Sequence, residues 1–448
     1  MKTNKTTVAF LLFGFTALAI ALAVYVKPPV VQELSRTESF GELTVTRPLW
    51  GSQGLAIVFA DTKKFPASIL GRRVAALGMV AAIINPWPFF KCFNAATGQC
   101  LDTNAAATSI ASLLKGLPPT STKPLVIAGI SEGALLPFLN AQSSQANTAT
   151  NLAIDFSVNL PDGLAVCPPL AGQDPKNTLV ASTALKGHWR PVWTDHPAGQ
   201  TAVFIKAIGN TNTRIAAYDT PLDAVLLEEL KASLGQTDPS SPPLPLVDVP
   251  AAKPNGTITV FYSGDGGWRD LDRAVAGEMA AQNYPVVGVD ALRYFWERKT
   301  PGQVAADLSA TMAYYRNNRG IKFFVLAGYS FGADILPAVY NRLPQQDQDS
   351  VRLLVLLALA NNADFEIHVS GWLGQNAGEL PQAPELAKIP KTKILCIYGK
   401  EEKSETACTG LQNSDANILE LPGGHHFDQD YPKLTRQILD VYRQHGIN

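Results

Sequence analysis

A serine flanked by glycines stands between a predicted strand and a predicted helix in the second half of the chain. Residues 328–332 read GYSFG, follow the apolar run FFVLA and open the apolar segment ADILPAVY. In such a strand–turn–helix context the serine sits on a sharp turn, and the small glycines avoid collisions with the neighbouring strand and helix. Because the string alone also occurs by chance, the context carries the prediction that Ser330 is a nucleophile.

A serine hydroxyl is a poor nucleophile unless a base accepts its proton. Downstream, NILELP reads as the last strand, and residues 423–430 (GGHHFDQD) read as a loop at the same edge of the sheet as Ser330. This loop contains His425 and His426. We favour His425, the first after the Gly-Gly pair, as the base, and His426 is the alternative.

The base must itself be oriented by an acid. The predicted strand KTKILCIYG ends at Gly399, and Glu402 follows three positions later, in the loop after the penultimate strand. Glu402 is the first choice, with Glu401 beside it as an alternative. Asp364 is a further alternative, because it follows the preceding strand LLVLLALA and that strand end can also hold the acid.

A tetrahedral intermediate needs backbone N–H donors. The N–H of Phe331, directly after the serine, is one candidate. The second should come from residues 263–268 (SGDGGW), where glycines let the backbone approach an oxyanion. Within this turn we expect Asp265 and Gly266 to supply it.

The elements that must position these residues occur twice in the chain. Strand, helix, strand, helix and a strand ending in a tight turn follow one another in both halves, which predicts two tandem doubly wound α/β domains with parallel sheets. A Pro- and Ser-rich stretch without periodicity separates them. The predicted domains are residues 38–235 and 257–448, and the linker is residues 236–256.

The first half carries a second glycine-flanked serine, Ser131 in GISEG, but lacks the rest of a catalyst. At the spacing of Ser330 to His425 a histidine would fall near residue 226, within the histidine-free stretch PLDAVLLEELKASL. Glu132 also adds a negative charge where an oxyanion should be stabilised. We therefore interpret this half as a degenerate, non-catalytic copy.

Composition limits the function classes. The formal net charge is −1 and 17% of the residues are charged, which argues against a protein that binds nucleic acid through phosphate contacts.

Lysines followed by an apolar run within residues 1–27 predict an export segment, either a cleavable signal peptide or an inner-membrane anchor. We predict no metal and no cofactor, because no Cys/His group has zinc spacing.

Five cysteines in an exported chain favour disulfides. Local spacing predicts the pairs Cys92–Cys100 and Cys396–Cys408, which leaves Cys167 unpaired.

The motifs GYSFGAD, YSGDGGW, DALRYFW, FEIHVSGWLG and LPGGHHFDQDY resemble the VirJ/AcvB family of bacterial virulence proteins. The resemblance implies a periplasmic protein of two tandem α/β-hydrolase-like domains, the first degenerate. It also implies a serine esterase that removes lysine or alanine from aminoacylated phosphatidylglycerol, a membrane phospholipid. Ser330 would then be the nucleophile and the GGHHF loop would supply the base, whereas the resemblance does not identify the acid.

Several further residues are candidates for substrate contact. About thirty residues separate the strand ending near Ala360 from the one starting near Lys393, which leaves no room for a large cap and predicts an open site. Trp372 in this interval could touch lipid. The candidates for pairing with an aminoacyl ammonium are Asp265, Asp290 and Asp334, although each also suits a structural turn or cap.

Two other functions remain open at this stage. One is a periplasmic binding or chaperone factor for exported virulence components, and the other is a general lipase or esterase. Hydrolysis that depends on Ser330 separates an enzyme from a binding factor, and a requirement for the amino group separates the specific from the general esterase.

Overall fold

The computed structural model describes residues 30–49, 51–93, 98–117, 124–143, 149–166, 179, 185–208, 211–236, 242–253, 256–367 and 378–447. The predicted export segment, Cys167 and Trp372 lie outside these ranges. None of the helices within them has the length and apolarity needed to cross a membrane.

The chain divides into two compact units. Unit 1 comprises Met1–Trp193, Pro197–Thr213 and Thr220–Thr237. Unit 2 comprises Thr194–His196, Arg214–Asp219 and Asp238–Asn448. The sequence did not indicate that Thr194–His196 and Arg214–Asp219, which lie in the first half of the chain, belong to unit 2.

Unit 1 is built on a twisted sheet whose strands follow the order β1-β2-β4-β3-β5-β6-β7. Strands β4, β3, β5, β6 and β7 run parallel, whereas β1 pairs with β2 and β2 with β4 in antiparallel fashion. The strands are β1 (Val30–Thr37), β2 (Gly41–Pro48), β3 (Gly54–Phe59), β4 (Met79–Ile84), β5 (Leu125–Ile130), β6 (Ala149–Ile154) and β7 (His188–Trp193). The helices are α1 (Ala67–Ala75), α2 (Trp87–Phe90), α3 (Thr103–Gly116), α4 (Leu135–Gln142), α5 (Gly199–Ile208) and α6 (Leu222–Ser233).

The central strands of unit 1 are apolar in sequence and buried in the structure. Every residue of β3 and β4 is buried, as expected for central strands covered by helices on both faces. The sheet of unit 1 includes residues before the predicted boundary at residue 38, because β1 pairs with β2 along its whole length.

Unit 2 has a sheet of the same kind, with the order β17-β16-β13-β12-β10-β11-β9. All neighbouring pairs in it are parallel except β9 with β11. The strands of this sheet are β9 (Leu246–Val249), β10 (Thr257–Tyr262), β11 (Val286–Val289), β12 (Phe323–Tyr329), β13 (Val351–Leu357), β16 (Ile394–Gly399) and β17 (Asn417–Leu421). Outside this sheet, unit 2 contains β8 (Arg214–Ile215) and a separate antiparallel pair, β14 (Asn362–Ala363) and β15 (Leu380–Pro381). The helices are α7 (Asp270–Ala281), α8 (Ala291–Tyr294), α9 (Pro301–Arg319), α10 (Phe331–Tyr340), α11 (Gln345–Ser350), α12 (Gln382–Lys388) and α13 (Tyr431–Gln444).

The prediction of a linker through residues 236–256 is wrong for residues 246–249. These residues form β9, the edge strand that pairs with β11 in antiparallel register. Prolines on both sides hid the strand in the sequence, and an edge position tolerates them because only one side of the strand needs ladder hydrogen bonds.

Two cysteine predictions have different outcomes. The Cys396–Cys408 disulfide is present, with 5.6 Å between the Cα atoms. The Cys92–Cys100 pairing is wrong, since Cys92 is an exposed free thiol and Cys100 is bonded in a disulfide. Cys92 follows α2, and its Sγ lies 3.6 Å from the Pro88 carbonyl oxygen. Two cysteines that are close in sequence can form a disulfide only if their side chains point towards each other, so the short spacing between Cys92 and Cys100 was not sufficient.

The loop predicted to hold the base is anchored at both ends. On one side β17 pairs with β16 through Gly399↔Leu421. On the other side the Asp430 side chain accepts a hydrogen bond of 3.1 Å from the Lys433 N–H and caps α13. Residues 423–430, called the histidine loop below, are therefore held between the last strand and the last helix.

Candidate active site

Ser330 occupies a strained turn between β12 and α10. Its φ is 52°, a left-handed value that is costly for a residue with a side chain, about 1–3 kcal/mol. Two backbone hydrogen bonds fix the turn: the Ser330 N–H donates to the Leu357 carbonyl oxygen at 2.9 Å, and the Asp334 N–H donates to the Ser330 carbonyl oxygen at 3.0 Å. The strain is therefore maintained by the adjacent strand and the first helical turn.

The glycines on either side of the serine are required by close backbone contacts. A Cβ atom on Gly328 would lie 2.3 Å from the Gly332 carbonyl oxygen. One on Gly332 would lie 2.2 Å from the Tyr262 carbonyl oxygen of β10. These distances explain the glycine-flanked pattern on which the sequence prediction rests.

The structure brings Ser330, His425 and Glu402 together. His425 Nε2 lies 2.8 Å from Ser330 Oγ, and His425 Nδ1 lies 2.7 Å from Glu402 Oε1. Glu402 ends a short turn after β16, and His425 lies in the histidine loop. A serine, an imidazole and a carboxylate in this order can deprotonate a serine hydroxyl and stabilise the imidazolium that forms.

The three alternatives lie elsewhere. His426 Nδ1 contacts the Tyr329 hydroxyl at 3.0 Å. Glu401 is held through its N–H, which donates to the Gly423 carbonyl oxygen at 3.1 Å. Asp364 accepts a hydrogen bond of 2.7 Å from the Phe365 N–H and so stabilises its own loop.

Tyr329 connects the nucleophile turn to the histidine loop, a role that the sequence did not indicate. Its hydroxyl lies 3.3 Å from the His425 carbonyl oxygen, to which it can donate, as well as 3.0 Å from His426 Nδ1. Burial raises the pKa of Tyr329, so the hydroxyl keeps its proton at neutral pH. The residue before the nucleophile therefore helps to fix the position of the base.

Residues 263–268, called the oxyanion turn below, lie against Ser330. A Cβ atom on Gly264 would be 3.9 Å from Ser330 Cβ, which shows how closely the turn approaches the nucleophile. Phe331 is the first residue of α10, a position whose N–H has no acceptor within the helix. The predicted donors Phe331, Asp265 and Gly266 thus lie in the two segments that border the serine.

A buried carboxyl group, Asp272, supports the oxyanion turn from below. Only 2% of Asp272 is exposed, and this burial raises its pKa well above the ordinary value. The backbone N–H groups of Arg269 and Gly264 bind the carboxyl group and oppose that rise. Asp272 was missed in the sequence, where an acidic residue in the first turn of α7 resembles an ordinary helix-terminal charge.

Asp290 serves as a helix cap, the alternative that the sequence left open. It is 2% exposed and accepts a hydrogen bond of 3.1 Å from the Arg293 N–H at the start of α8. Burial raises its pKa to about 6, while Arg293 and the Trp268 N–H oppose the shift. Because its side chain is enclosed and engaged, Asp290 does not present a carboxylate to a substrate.

Asp334 lies one helical turn after the nucleophile and has a different environment. Burial raises its pKa to about 8, a hydrogen bond from the Ala360 N–H at 2.8 Å opposes the shift, and the charges of Asp265 and Glu402 add to it. Asp334, Asp265 and Glu402 therefore form an acidic group beside Ser330, in which Asp334 keeps its proton at neutral pH. Within the described ranges, no cluster of three or more His, Cys, Asp or Glu side chains could hold a metal ion.

Unit 1 keeps the turn, but among its described residues the serine has a different partner from that of Ser330. Ser131 has a φ of 51°, and its Oγ donates a hydrogen bond of 2.9 Å to Asp155 Oδ2. The adjacent Glu132 lies 3.6 Å from Lys64. The serine that corresponds in pattern to Ser330 is thus bound to a carboxylate.

Comparisons with known proteins found a matching family model and similar solved structures. Residues 256–445 match the family described as bacterial virulence protein (VirJ). No curated protein matches the chain. Solved structures that match include a putative dienelactone hydrolase from Klebsiella pneumoniae, at 14% identity over 47% of this chain and 100% of that chain, with a TM-score of 0.32.

Two more matches are of the same kind. Est1E from Butyrivibrio proteoclasticus is 13% identical over 45% of this chain and 93% of that chain, with a TM-score of 0.34. An α/β serine hydrolase without a lid from Xanthomonas campestris is 17% identical over 44% of this chain and 87% of that chain, with a TM-score of 0.30. Residues 256–445 are therefore similar to the bacterial virulence protein (VirJ) family, and both units have doubly wound α/β sheets.

Proposed function

We propose that the protein is a serine esterase that hydrolyses the aminoacyl ester of lysyl- or alanyl-phosphatidylglycerol. The observation that carries the proposal is the continuous chain of hydrogen bonds from Ser330 through His425 to Glu402. The resemblance to the VirJ/AcvB family motivates the choice of lipid. The export segment predicted in residues 1–27 supports action at the periplasmic face of the membrane.

The reaction follows from the positions of the three side chains. Ser330 Oγ attacks the carbonyl carbon of the ester while His425 Nε2 accepts the hydroxyl proton. The N–H groups of Phe331 and the oxyanion turn stabilise the resulting oxyanion. The carbonyl re-forms as the glycerol oxygen leaves with the proton from His425, and a water molecule then hydrolyses the aminoacyl-serine by the same steps.

The acidic group beside the nucleophile supports an amine-bearing substrate. An aminoacyl ester carries an ammonium group close to its carbonyl carbon, and Asp334 lies close to Ser330 on the same helix. A nearby cation favours the ionised form of a carboxyl group, so a bound ammonium would return the pKa of Asp334 from about 8 towards its ordinary value. Asp265 would add to this attraction.

The test is hydrolysis of a substrate panel by the full-length protein and its Ser330→Ala variant. The panel contains lysyl- and alanyl-phosphatidylglycerol, unmodified phosphatidylglycerol and a fatty-acyl ester without an amino group. We expect release of the amino acid by the wild-type protein and a loss of about 10⁴-fold or more in Ser330→Ala. Ser131→Ala is the matched control and should retain activity.

Each alternative function predicts a different result. Equal turnover of the ester without an amino group would indicate a general esterase. Aminoacyl-lipid hydrolysis that is undiminished in Ser330→Ala would refute the proposed mechanism. Absence of hydrolysis by the wild-type protein would favour a periplasmic binding or chaperone factor.

A further inference from the structure

A cavity in unit 2 has the chemistry of an anion site. Its volume is about 660 Å³. All of its lining residues belong to unit 2. The polar side chains that line it are Arg214, Arg293, Tyr294, Lys299, Gln303 and Asp307.

Three cationic side chains outnumber the single carboxylate in this lining. Asp307 accepts a hydrogen bond from the Tyr294 hydroxyl, so part of its acceptor capacity is used within the wall. The Lys299 ammonium lies 5.5 Å from the centre of the Tyr294 ring. Arg293 Nε donates to the Ile215 carbonyl oxygen at 3.0 Å, which orients the guanidinium at the cavity.

The first turn of α9 also borders this cavity through Gln303. Thr300 and Gln303 form a capping box at that end of the helix. The positive end of a helix dipole favours an anion, and here it adds to the charges of three cationic side chains rather than acting alone. The lining therefore favours an anionic group with several acceptor oxygens.

The cavity lies at the same edge of the sheet as the nucleophile. Helix α8 follows β11, Ser330 follows β12, and only β10 lies between these strands. Neighbouring strands are spaced by about 4.8 Å, which puts the two strand ends roughly 10 Å apart. The Phe295 ring, next to Tyr294 in sequence, lies 5.0 Å from the Phe331 ring, next to Ser330.

We propose that this cavity binds the phosphodiester of the substrate lipid, through Lys299 and Arg214 with Arg293 beside them. In an aminoacylated phosphatidylglycerol the phosphate is separated from the ester by one glycerol unit, so a site near the nucleophile could bind both ends of the headgroup. Arginine and lysine are the usual protein partners of phosphate oxygens. The identification of the anion as a lipid headgroup rests on the proposed function, whereas the affinity for a phosphate ester does not.

Binding measurements test the site without requiring hydrolysis. Calorimetric titrations of glycerophosphoglycerol and of inorganic phosphate into the wild-type protein, Lys299→Gln and Arg214→Gln would compare a diester with free phosphate. Lys322→Gln is the matched control, because this exposed lysine precedes β12 at the opposite edge of the sheet. We expect each cavity variant to weaken diester binding about tenfold, Lys299→Arg to restore most of it, and the control to have no effect.

Two outcomes of the titrations would overturn the proposal. Equal affinity of wild type and Lys299→Gln for the diester would show that the cavity does not bind it. Tighter binding of inorganic phosphate than of the diester would assign the site to free phosphate rather than to a headgroup.

Kinetics distinguish failure of this inference from failure of the proposed function. In Lys299→Gln we expect KM for lysyl-phosphatidylglycerol to rise about tenfold with kcat unchanged, while kcat/KM for lysine methyl ester, which lacks phosphate, stays the same. Equal losses of kcat/KM on the two substrates would contradict a phosphate subsite. If the wild-type protein hydrolyses neither substrate, the proposed function fails and the titrations still decide whether the cavity binds a phosphodiester.

Discussion

The two glycine-flanked serines of this chain have nearly the same backbone and different surroundings. The φ values are 51° at Ser131 and 52° at Ser330. A Cβ atom on Gly133 would lie 2.1 Å from a carbonyl oxygen of the neighbouring strand, and one on Gly332 would lie 2.2 Å from the corresponding oxygen. The strained turn is therefore retained in both units, whether or not a base is present.

The difference lies at the end of the neighbouring strand. Asp155 follows β6 and Ala358 follows β13, both with left-handed φ values, 55° and 53°. Each N–H donates at 2.8 Å to the next strand, so the two positions correspond. The Ser131 hydroxyl is bound by Asp155, whereas the small side chain at Ala358 leaves the Ser330 hydroxyl to His425.

This comparison shows what a nucleophile turn needs beyond its geometry. Burial raises the pKa of Asp155, and the hydrogen bond from Ser131 opposes the shift. A carboxyl group is a weak base for a serine hydroxyl, while an imidazole has a pKa closer to neutrality. The charge of Glu132 beside Ser131 would also repel a developing oxyanion.

The largest effect is expected from removing the base that unit 1 lacks. His425→Gln should lower kcat for lysyl-phosphatidylglycerol by about 10⁴-fold, because Ser330 then has no proton acceptor. His426→Gln loses contacts with Tyr329 and with the His425 ring but keeps the base, so it should cost less than about tenfold. Steady-state hydrolysis by the two variants, with circular dichroism to verify folding, checks this. Comparable losses in both would contradict the assignment of His425.

The next effect comes from transferring the unit 1 carboxylate to unit 2. Ala358→Asp should lower kcat by about 10²-fold, because the new side chain would compete with His425 for the Ser330 hydroxyl. The left-handed φ of 53° at this position is one that Asp and Asn tolerate better than other residues, so the fold should persist. Ala358→Asn is the neutral control and should lose less activity. If the two variants are equally impaired, charge is not the cause.

A smaller effect is expected from a substitution in the acidic group beside the triad of unit 2. Asp334→Asn should raise KM for lysyl-phosphatidylglycerol about tenfold relative to KM for an ester without an amino group, since one ion pair is lost. Asn retains an acceptor for the Ala360 N–H, so the helix start should be preserved. An unchanged ratio of the two KM values would exclude Asp334 from recognition of the amine.

The same residue predicts the pH dependence. With a pKa of about 8, Asp334 gains its charge as pH rises through that value, so the KM ratio should fall there and should become independent of pH in Asp334→Asn. Rising pH has the opposite effect on the stability of the fold. The folded protein retains the proton above the ordinary pKa of 3.8, so Asp334 destabilises the fold increasingly as pH rises from 3.8 to about 8.

The smallest effect is expected in unit 1. Ser131→Ala should leave kcat/KM within about twofold of wild type. It should lower the free energy of unfolding by about 1 kcal/mol, through loss of the hydrogen bond to Asp155. Thermal unfolding followed by circular dichroism, with activity measured in parallel, checks both values. A large loss of hydrolysis would show that unit 1 takes part in the reaction.

Local patterns predicted most of the fold and of the candidate site. Ser330, His425 and Glu402 each follow a strand of the parallel part of the sheet, and the carboxyl ends of such strands meet at one edge, so strand order alone brings the three together. The fold class follows from the repeated alternation of strands and helices.

Long-range contacts account for what the sequence did not predict. The correspondence of Asp155 and Ala358 depends on strand pairing rather than on any motif. The Cys92–Cys100 prediction failed because spacing along the chain does not fix the direction of a side chain. Asp272 and Tyr329 have ordinary sequence neighbours, and their roles depend on burial and on contacts with distant loops.

The Cys396–Cys408 disulfide has a consequence for how the triad depends on its surroundings. The bond closes a covalent ring that contains Glu402, and such a ring limits the conformations of the segment even when the rest of the unit loosens. We therefore expect the orientation of His425 to depend on an oxidising environment. In a reducing medium, where the disulfide would be lost, Glu402 would be held less firmly and would orient His425 less well.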